Sequence, residues 1–254
     1  MNHLFSLQGR TALITGGSRG IGRMIAAGFL AKGARVYISA RKAAACDQTA
    51  QELSALGRCV SLPADVSSVA GAQALAAAYA VHEPQLDILV NNAGAAWGAP
   101  FDEFPESGWD KVVDLNLKAP FFLTQALAGP LRLAARQRVA KVINIASVDG
   151  LSVNPQETYS YAASKAGLVH LTRRMALRLM QDNIAVTAIA PGAFASEMNR
   201  DARDRADEVS AYIPARRIGT DEDMAGAAIY LASRAGDYVV GETLVVDGGV
   251  TLRR

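Results

Sequence analysis

Seven short segments of this chain are apolar almost from end to end, and no other feature narrows its folds as much. They span residues 11–15, 35–39, 59–63, 86–90, 142–146, 185–189 and 243–246. A strand with one wet face alternates apolar and polar residues, whereas a strand covered on both faces does not. Between them lie helix-like, Ala/Leu-rich stretches at 21–31, 43–56, 68–81, 109–136, 159–180 and 221–233. This alternation predicts an α/β chain, a parallel sheet with helices on both faces. A closed barrel of eight units and an open, doubly wound sheet both meet that description. The presence of seven strands favours the open sheet. So does a glycine-rich turn directly after the first strand, where a doubly wound sheet receives a nucleotide.

No linker, repeat or low-complexity tract divides the 254 residues, so a single domain over 1–254 is expected. Residues 194–214 stand apart as a mixed-charge stretch between a strand and its helix, expected to be a mobile lid or an exposed loop-helix. The net charge of +2 is too small to argue for nucleic acid. No apolar run reaches the roughly 18 residues of a membrane span, so no membrane insertion is expected. The N-terminus lacks the pattern of a secretory signal. Cys46 and Cys59 are too few for a disulfide framework, and His3, His82 and His170 are too scattered for a metal site. A soluble, cytoplasmic chain without a metal is the expectation.

The turn reads Thr15-Gly16-Gly17-Ser18-Arg19-Gly20-Ile21-Gly22. Glycine tolerates positive φ and lets backbone approach a phosphate, and the helix that follows offers free N–H groups to a pyrophosphate. An ordinary glycine-rich turn is the plain alternative. No Lys-Ser/Thr follows Gly22, so the turn is not a P-loop. A cofactor with a free ribose 2′-hydroxyl calls for a carboxylate roughly 20 residues later, at the end of the second strand. Here that place reads Ser39-Ala40-Arg41-Lys42. Arg41, with Arg19 from the turn, suits a 2′-phosphate instead, because a guanidinium matches phosphate with paired hydrogen bonds. The residues therefore point to NADPH.

Thr15-Gly16-x-x-x-Gly20-x-Gly22, Asn91-Asn92-Ala93-Gly94, Tyr161-x-x-x-Lys165 and Pro191-Gly192 occur in the order and spacing of the short-chain dehydrogenase/reductases, which the chain resembles from Gly9 to Gly249. Lys165-Ala166-Gly167 and the ending from Gly241 to Gly249 are similar to those of the 3-oxoacyl thioester reductases within that family, although the ending recurs in sugar, steroid and cyclic-alcohol dehydrogenases. The resemblance implies a Rossmann-type sheet and a nicotinamide cofactor. It implies cofactor contacts from Gly16, Ser18, Arg19, Gly20, Ile21 and Gly22, from Asp65 and Val66 at the adenine, and from Asn91, Ala93 and Gly94 along the ribose. Pro191 and Gly192 would back the nicotinamide, the Phe194 backbone would lie near its carboxamide, and Ser196 would keep a hydroxyl contact that relatives make with threonine.

Tyr161 and Lys165 are four apart on a helix-like stretch and share a face. A phenol has an ordinary pKa near 10, and a neighbouring ammonium favours the phenolate. Tyr161 is expected to pass a proton to the alkoxide formed by hydride transfer, with Lys165 lowering its pKa and bonding the nicotinamide ribose. An exposed Tyr/Lys pair is the bland alternative. Ser147 follows an apolar strand and is placed to bond the substrate carbonyl. It lies 14 residues before Tyr161, one more than is usual in the family, with Ser152 as the fallback. Asn116, inside the stretch 109–136, would hold a water in relatives or else brace a kink. Proteins that keep this fold only to sense a dinucleotide would lack the tyrosine or the lysine, and both are here.

Trp97, Phe101, Phe194 and Met198 are candidates for an acyl pocket, or else they fill core. Two basic clusters, Arg132, Arg136, Arg138 and Lys141, then Arg173, Arg174 and Arg178, suit helix C-termini or an acidic partner. Asp182 stands where reductases serving an acyl carrier protein commonly carry an arginine. That reversal predicts preference for CoA or a specialised carrier. The resemblance, together with the apolar stretches 115–133 and 168–180, implies a homotetramer.

Overall fold

The computed structural model describes residues 2–253. Its seven strands are β1 (Thr11–Thr15), β2 (Arg35–Ser39), β3 (Cys59–Ser61), β4 (Ile88–Asn91), β5 (Ala140–Ile145), β6 (Ile184–Pro191) and β7 (Thr243–Val246). All neighbours pair in parallel, in the order β3-β2-β1-β4-β5-β6-β7. The chain runs outward from β1 to β3, then returns to place β4 on the other side of β1. A crevice therefore opens at the carboxyl ends of β1 and β4.

Both faces are covered, as the apolar strands require. On one face Ile14, Ile38, Val90 and Ile143 pack under α1 (Gly20–Ala31) and α2 (Ala43–Leu53). On the other, Leu13, Tyr37, Leu89 and Val142 meet α3 (Val69–Ala80). Alternate residues of one strand thus feed two cores, which is why neither set is polar. The stretch 109–136 is not one helix. It divides into α4 (Glu106–Val113), a π turn (Asp114–Lys118), α5 (Ala119–Ala126) and α6 (Ala128–Ala135). The second face is completed by α7 (Tyr159–Leu179).

Residues 194–214 resolve as the exposed loop-helix, with α8 (Arg200–Asp204) and α9 (Ala206–Tyr212) laced by Arg203–Asp204 and Arg205–Asp201 ion pairs. Phe194 anchors the start of this segment by bridging to Gly219. The chain closes with α10 (Asp221–Ala232). Thr220 and Asp223 form a capping box there, satisfying two amide groups reciprocally. Close packing of α10 on α1 needs Gly28, since a Cβ there would stand 2.6 Å from that of Ala225. No described helix is long and apolar enough to cross a membrane. Among the described residues no group of three His, Cys, Asp or Glu gathers as a metal site.

Candidate active site

The glycine turn leaves β1 and enters α1 with Gly16 and Gly20 at positive φ, 65° and 52°. A Cβ on Gly22 would collide with the Gly16 carbonyl, so the turn closes only with glycine there. Arg19, at the N-cap of α1, makes no side-chain cap, which leaves the first amides of α1 facing the crevice. The loop after β4 clamps this turn. Asn92 donates its side-chain amide to the carbonyls of Thr15 at 2.8 Å and Gly16 at 3.1 Å. Thr15 Oγ1 accepts from the amides of Asn92 and Ala93, each at 3.0 Å. Neither Thr15 nor Asn92 was among the residues expected at the site. The available signals were a hydroxyl at the end of an apolar strand and an asparagine doublet.

Arg19 and Arg41 are both exposed beside the turn. Desolvation works to raise the Asp65 carboxyl, yet hydrogen bonds from Ser67 and the charge of Arg41 hold it below its ordinary value. Arg41 and Asp65 therefore share one region past the ends of β2 and β3. Val66 is buried in the second core. Ser196 lies over the turn, its Cβ 3.2 Å from where a Cβ of Gly20 would be. Gly192 sits against Asp247 with no room for a side chain. These groups fit a phosphate-bearing dinucleotide through a helix end without a side-chain cap, a glycine cradle and two exposed guanidinium groups.

Asn91 uses its side chain inside the protein. Its side-chain amide is 4% exposed and points into the protein, donating to Asn144 at 2.9 Å and Thr124 at 3.3 Å. Asn144 continues the chain to Thr172 of α7 at 2.9 Å. The side chain ties β4, β5 and α7 together, leaving only Asn91's backbone for a ligand.

Ser147 ends β5 in extended conformation and is 7% exposed. Its Oγ accepts from the Asp149 amide at 3.1 Å, and its hydroxyl acts to lower the Tyr161 phenol against the effect of burial. Ser152 instead donates to the Val148 carbonyl from an exposed position, so the fallback is not needed. The longer spacing to Tyr161 is taken up by tight turns, with Gln156 bonded to Asn154 and Thr158 to Gln156. Tyr161 and Lys165 do share a face of α7. Lys165 is 4% exposed and donates to the Ile145 carbonyl at 2.7 Å.

The expected lowering of the phenol does not occur. Burial pushes Tyr161 up to about 12, outweighing the Ser147 hydrogen bond, and the Asp149 carboxylate pushes the same way. Burial also lowers Lys165 to about 8. Removing water penalises the charged form of each group. At neutral pH the phenol is therefore a protonated donor.

Asn116 lies within the π turn and is 1% exposed. It donates to the Ala95 carbonyl at 2.9 Å and to Ser164 Oγ at 3.1 Å, and accepts from the Ala95 amide at 2.8 Å. It braces the loop after β4 against α7 rather than capping its own helix, and π turns recur at functional places. Gly94 fits between this asparagine and Lys165 Nζ.

One pocket candidate is corrected. Phe194 is 2% exposed and belongs to the core around α1 and α10. Trp97 packs on Gly108 under Lys111, which stands 5.0 Å from the ring centre. Phe101 and Met198 are exposed, and Phe101 stacks edge-on with Tyr159. The basic clusters are partly tied up in ion pairs, while Arg136, Arg173 and Arg174 remain exposed. Arg132 and Arg178 both bind the Asp182 carboxylate, at 2.9 and 3.3 Å. Lys141 is buried against Asp237 at 2.9 Å. Asp182 lies just before β6, at the amino end of the sheet, whereas Ser147 follows the carboxyl end of β5. Within one chain it is remote from the site, and its charge is neutralised, so the like-charge argument about the carrier fails.

A family profile described as enoyl-(acyl carrier protein) reductase matches residues 16–251. The chain is 49% identical over 256 residues to the rhamnolipids biosynthesis 3-oxoacyl-[acyl-carrier-protein] reductase of Pseudomonas aeruginosa, covering 99% of this chain and 100% of that one. It is 36% identical to the 5-keto-D-gluconate 5-reductase of Escherichia coli K12, covering 98% of each. The solved structure of the Pseudomonas aeruginosa RhlG/NADP active-site complex superposes with a TM-score of 0.95 at 49% identity, covering 99% of this chain and 100% of that one.

Proposed function

The chain belongs to the short-chain dehydrogenase/reductase family, and from that premise we propose that it reduces the 3-oxo group of an acyl thioester to the 3-hydroxyacyl thioester with NADPH. The observation that carries the substrate class is the 49% identity, along the full length, to a 3-oxoacyl-[acyl-carrier-protein] reductase. The similarity to an NADP complex, together with exposed Arg19 and Arg41, supports the cofactor.

NADPH supplies the hydride when bound. The chain's own residues do the rest. Gly16 to Gly22 and the first turn of α1 receive the pyrophosphate, and Arg19 and Arg41 receive the 2′-phosphate. Asp65 and Val66 flank the adenine, while Ala93, Gly94 and the Asn91 backbone run along the ribose. Pro191, Gly192, the Phe194 backbone and Ser196 line the nicotinamide end. Ser147 Oγ bonds the substrate carbonyl and Tyr161 Oη gives its proton to the oxygen as negative charge develops there. Lys165 holds ribose hydroxyls, and Asn116 keeps the loop beside it in place.

A second reading, reduction of a sugar-type ketone, is favoured by the 36% identity to the 5-keto-D-gluconate reductase. NADPH consumption against 3-oxoacyl-CoA, 3-oxoacyl-carrier-protein and 5-keto-D-gluconate tests both. Turnover of the thioesters is expected, and the comparison of CoA with carrier protein identifies the carrier. A kcat/KM higher for 5-keto-D-gluconate than for either thioester would overturn the reading. We further propose a homotetramer, supported by the apolar groove of Leu117, Phe121, Phe122, Gly167 and Leu171 between α5 and α7. Light scattering at micromolar concentration checks it, a monomer being the contrary result.

A further inference from the structure

The turn after β5 carries a carboxylate that the chemistry above does not use. Residues Val148–Gly150 form a single 3-10 turn between Ser147 and the rest of the loop. The turn is held at both ends. The Asp149 amide donates to Ser147 Oγ at 3.1 Å. Gly150 lies flat on α7, where a Cβ would stand 2.7 Å from the Lys165 carbonyl carbon. Asp149 is thus fixed between the two segments that carry Ser147, Tyr161 and Lys165. It is partly exposed, and among the described residues no ion pair includes it.

Resting on the assignment of Ser147 and Tyr161 to the reacting carbonyl, we propose that Asp149 is a specificity-determining residue whose negative charge rejects ketones bearing a nearby carboxylate and admits uncharged 3-oxoacyl groups. The bond from its amide to Ser147 Oγ puts the residue beside the hydroxyl assigned to the carbonyl, and the upward push its charge gives the Tyr161 phenol agrees. The distinction separates the two substrate types among the relatives. A 5-ketogluconate carries a carboxylate within its own short carbon chain. A thioester has no charge near its 3-oxo group, and any phosphates of its carrier lie at the far end of a long arm. Two like charges about 10 Å apart, in an effective dielectric near 24, cost about tenfold in rate.

The test uses a matched pair, ethyl 3-oxobutanoate and 3-oxobutanoate, with NADPH and the intact protein. The two share the 3-oxobutanoyl group and differ in whether it ends in a carboxylate or an ethyl ester, so the variant and the salt series isolate the charge. The wild type is expected to favour the ester, and Asp149→Asn to narrow the ester-to-acid ratio of kcat/KM by about tenfold. Raising the salt should narrow the wild-type ratio and leave that of Asp149→Asn unmoved, which a purely structural role would not produce. The wild-type salt series stands even if the variant folds poorly. An unmoved ratio in both measurements, with Tyr161→Phe inactive, overturns the role of Asp149 alone. Retained turnover in Tyr161→Phe, or no turnover of the ester by the wild type, overturns the site assignment and the proposal with it.

Discussion

The Lys165 ammonium stands 5.6 Å from the centre of the Tyr161 ring, while its own hydrogen bond goes to the Ile145 carbonyl. The lysine is therefore held by the end of β5, the strand that also presents Ser147. One strand end positions the carbonyl-binding hydroxyl and, through the lysine, the face of α7 that carries the proton donor.

Tyr161→Phe removes only the phenolic oxygen. Reduction should fall by at least about 10²-fold, the lower range for a positioned acid. NADPH binding, followed by fluorescence, should persist. Turnover within tenfold of wild type would show that another group gives the proton.

Lys165 links pH to stability. Burial lowers its pKa from 10.5 to about 8, so the protonated form is penalised in the folded state. At about 1.36 kcal/mol per pKa unit the penalty is about 3 kcal/mol. It is full below pH 8 and fades as pH rises toward the ordinary lysine value, because only there is the amine neutral in both states. Lys165→Met removes the penalty but loses the bond to Ile145, worth about 1 kcal/mol. The variant should be inactive yet more stable by about 2 kcal/mol at pH 6–7 in urea titrations, with the advantage shrinking above pH 8.

Arg41→Ala tests the cofactor. Hydrogen bonds to charged groups contribute about 1.5–3 kcal/mol, so KM for NADPH should rise roughly tenfold to a hundredfold. KM for NADH should change less than about twofold, because no 2′-phosphate is present to lose a partner. Equal increases for both cofactors would place the 2′-phosphate elsewhere.

Asn116→Ala leaves the amide and carbonyl of Ala95 without their partners in a partly buried place. A fully buried loss of this kind costs about 1–3 kcal/mol, so the two together should lower stability by about 1–3 kcal/mol. Turnover should fall as the loop beside Lys165 loosens. Full activity with lowered stability would make Asn116 a brace for the fold alone.

Asp182→Arg breaks the exposed pairs with Arg132 and Arg178, which contribute little to stability. No gain with a carrier-protein substrate is expected, and a gain in kcat/KM would show that this edge meets the carrier in the assembled protein.

Much of the fold was legible in the order of residues, because backbone rules act locally. Apolar runs at 11–15, 35–39 and 243–246 became strands with those bounds, since a helix-covered parallel sheet favours apolar residues at both parities and admits polar ones such as Arg35 and Ser39 at strand ends. The glycine turn was equally plain, for only glycine fits where Gly22 meets Gly16. The π turn at Asn116 was hidden, because one extra residue in a helix scarcely alters its periodicity. The roles of Asn91 and Asn92 were hidden too. Consecutive side chains of a strand point to opposite faces, so the first entered the core and the second clamped the glycine turn. No spacing distinguishes those faces without the neighbours. The phenol of Tyr161 followed the same logic. Its position was set by four residues of helix, but its proton affinity was set by the water excluded around it, a property of everything packed nearby rather than of any motif.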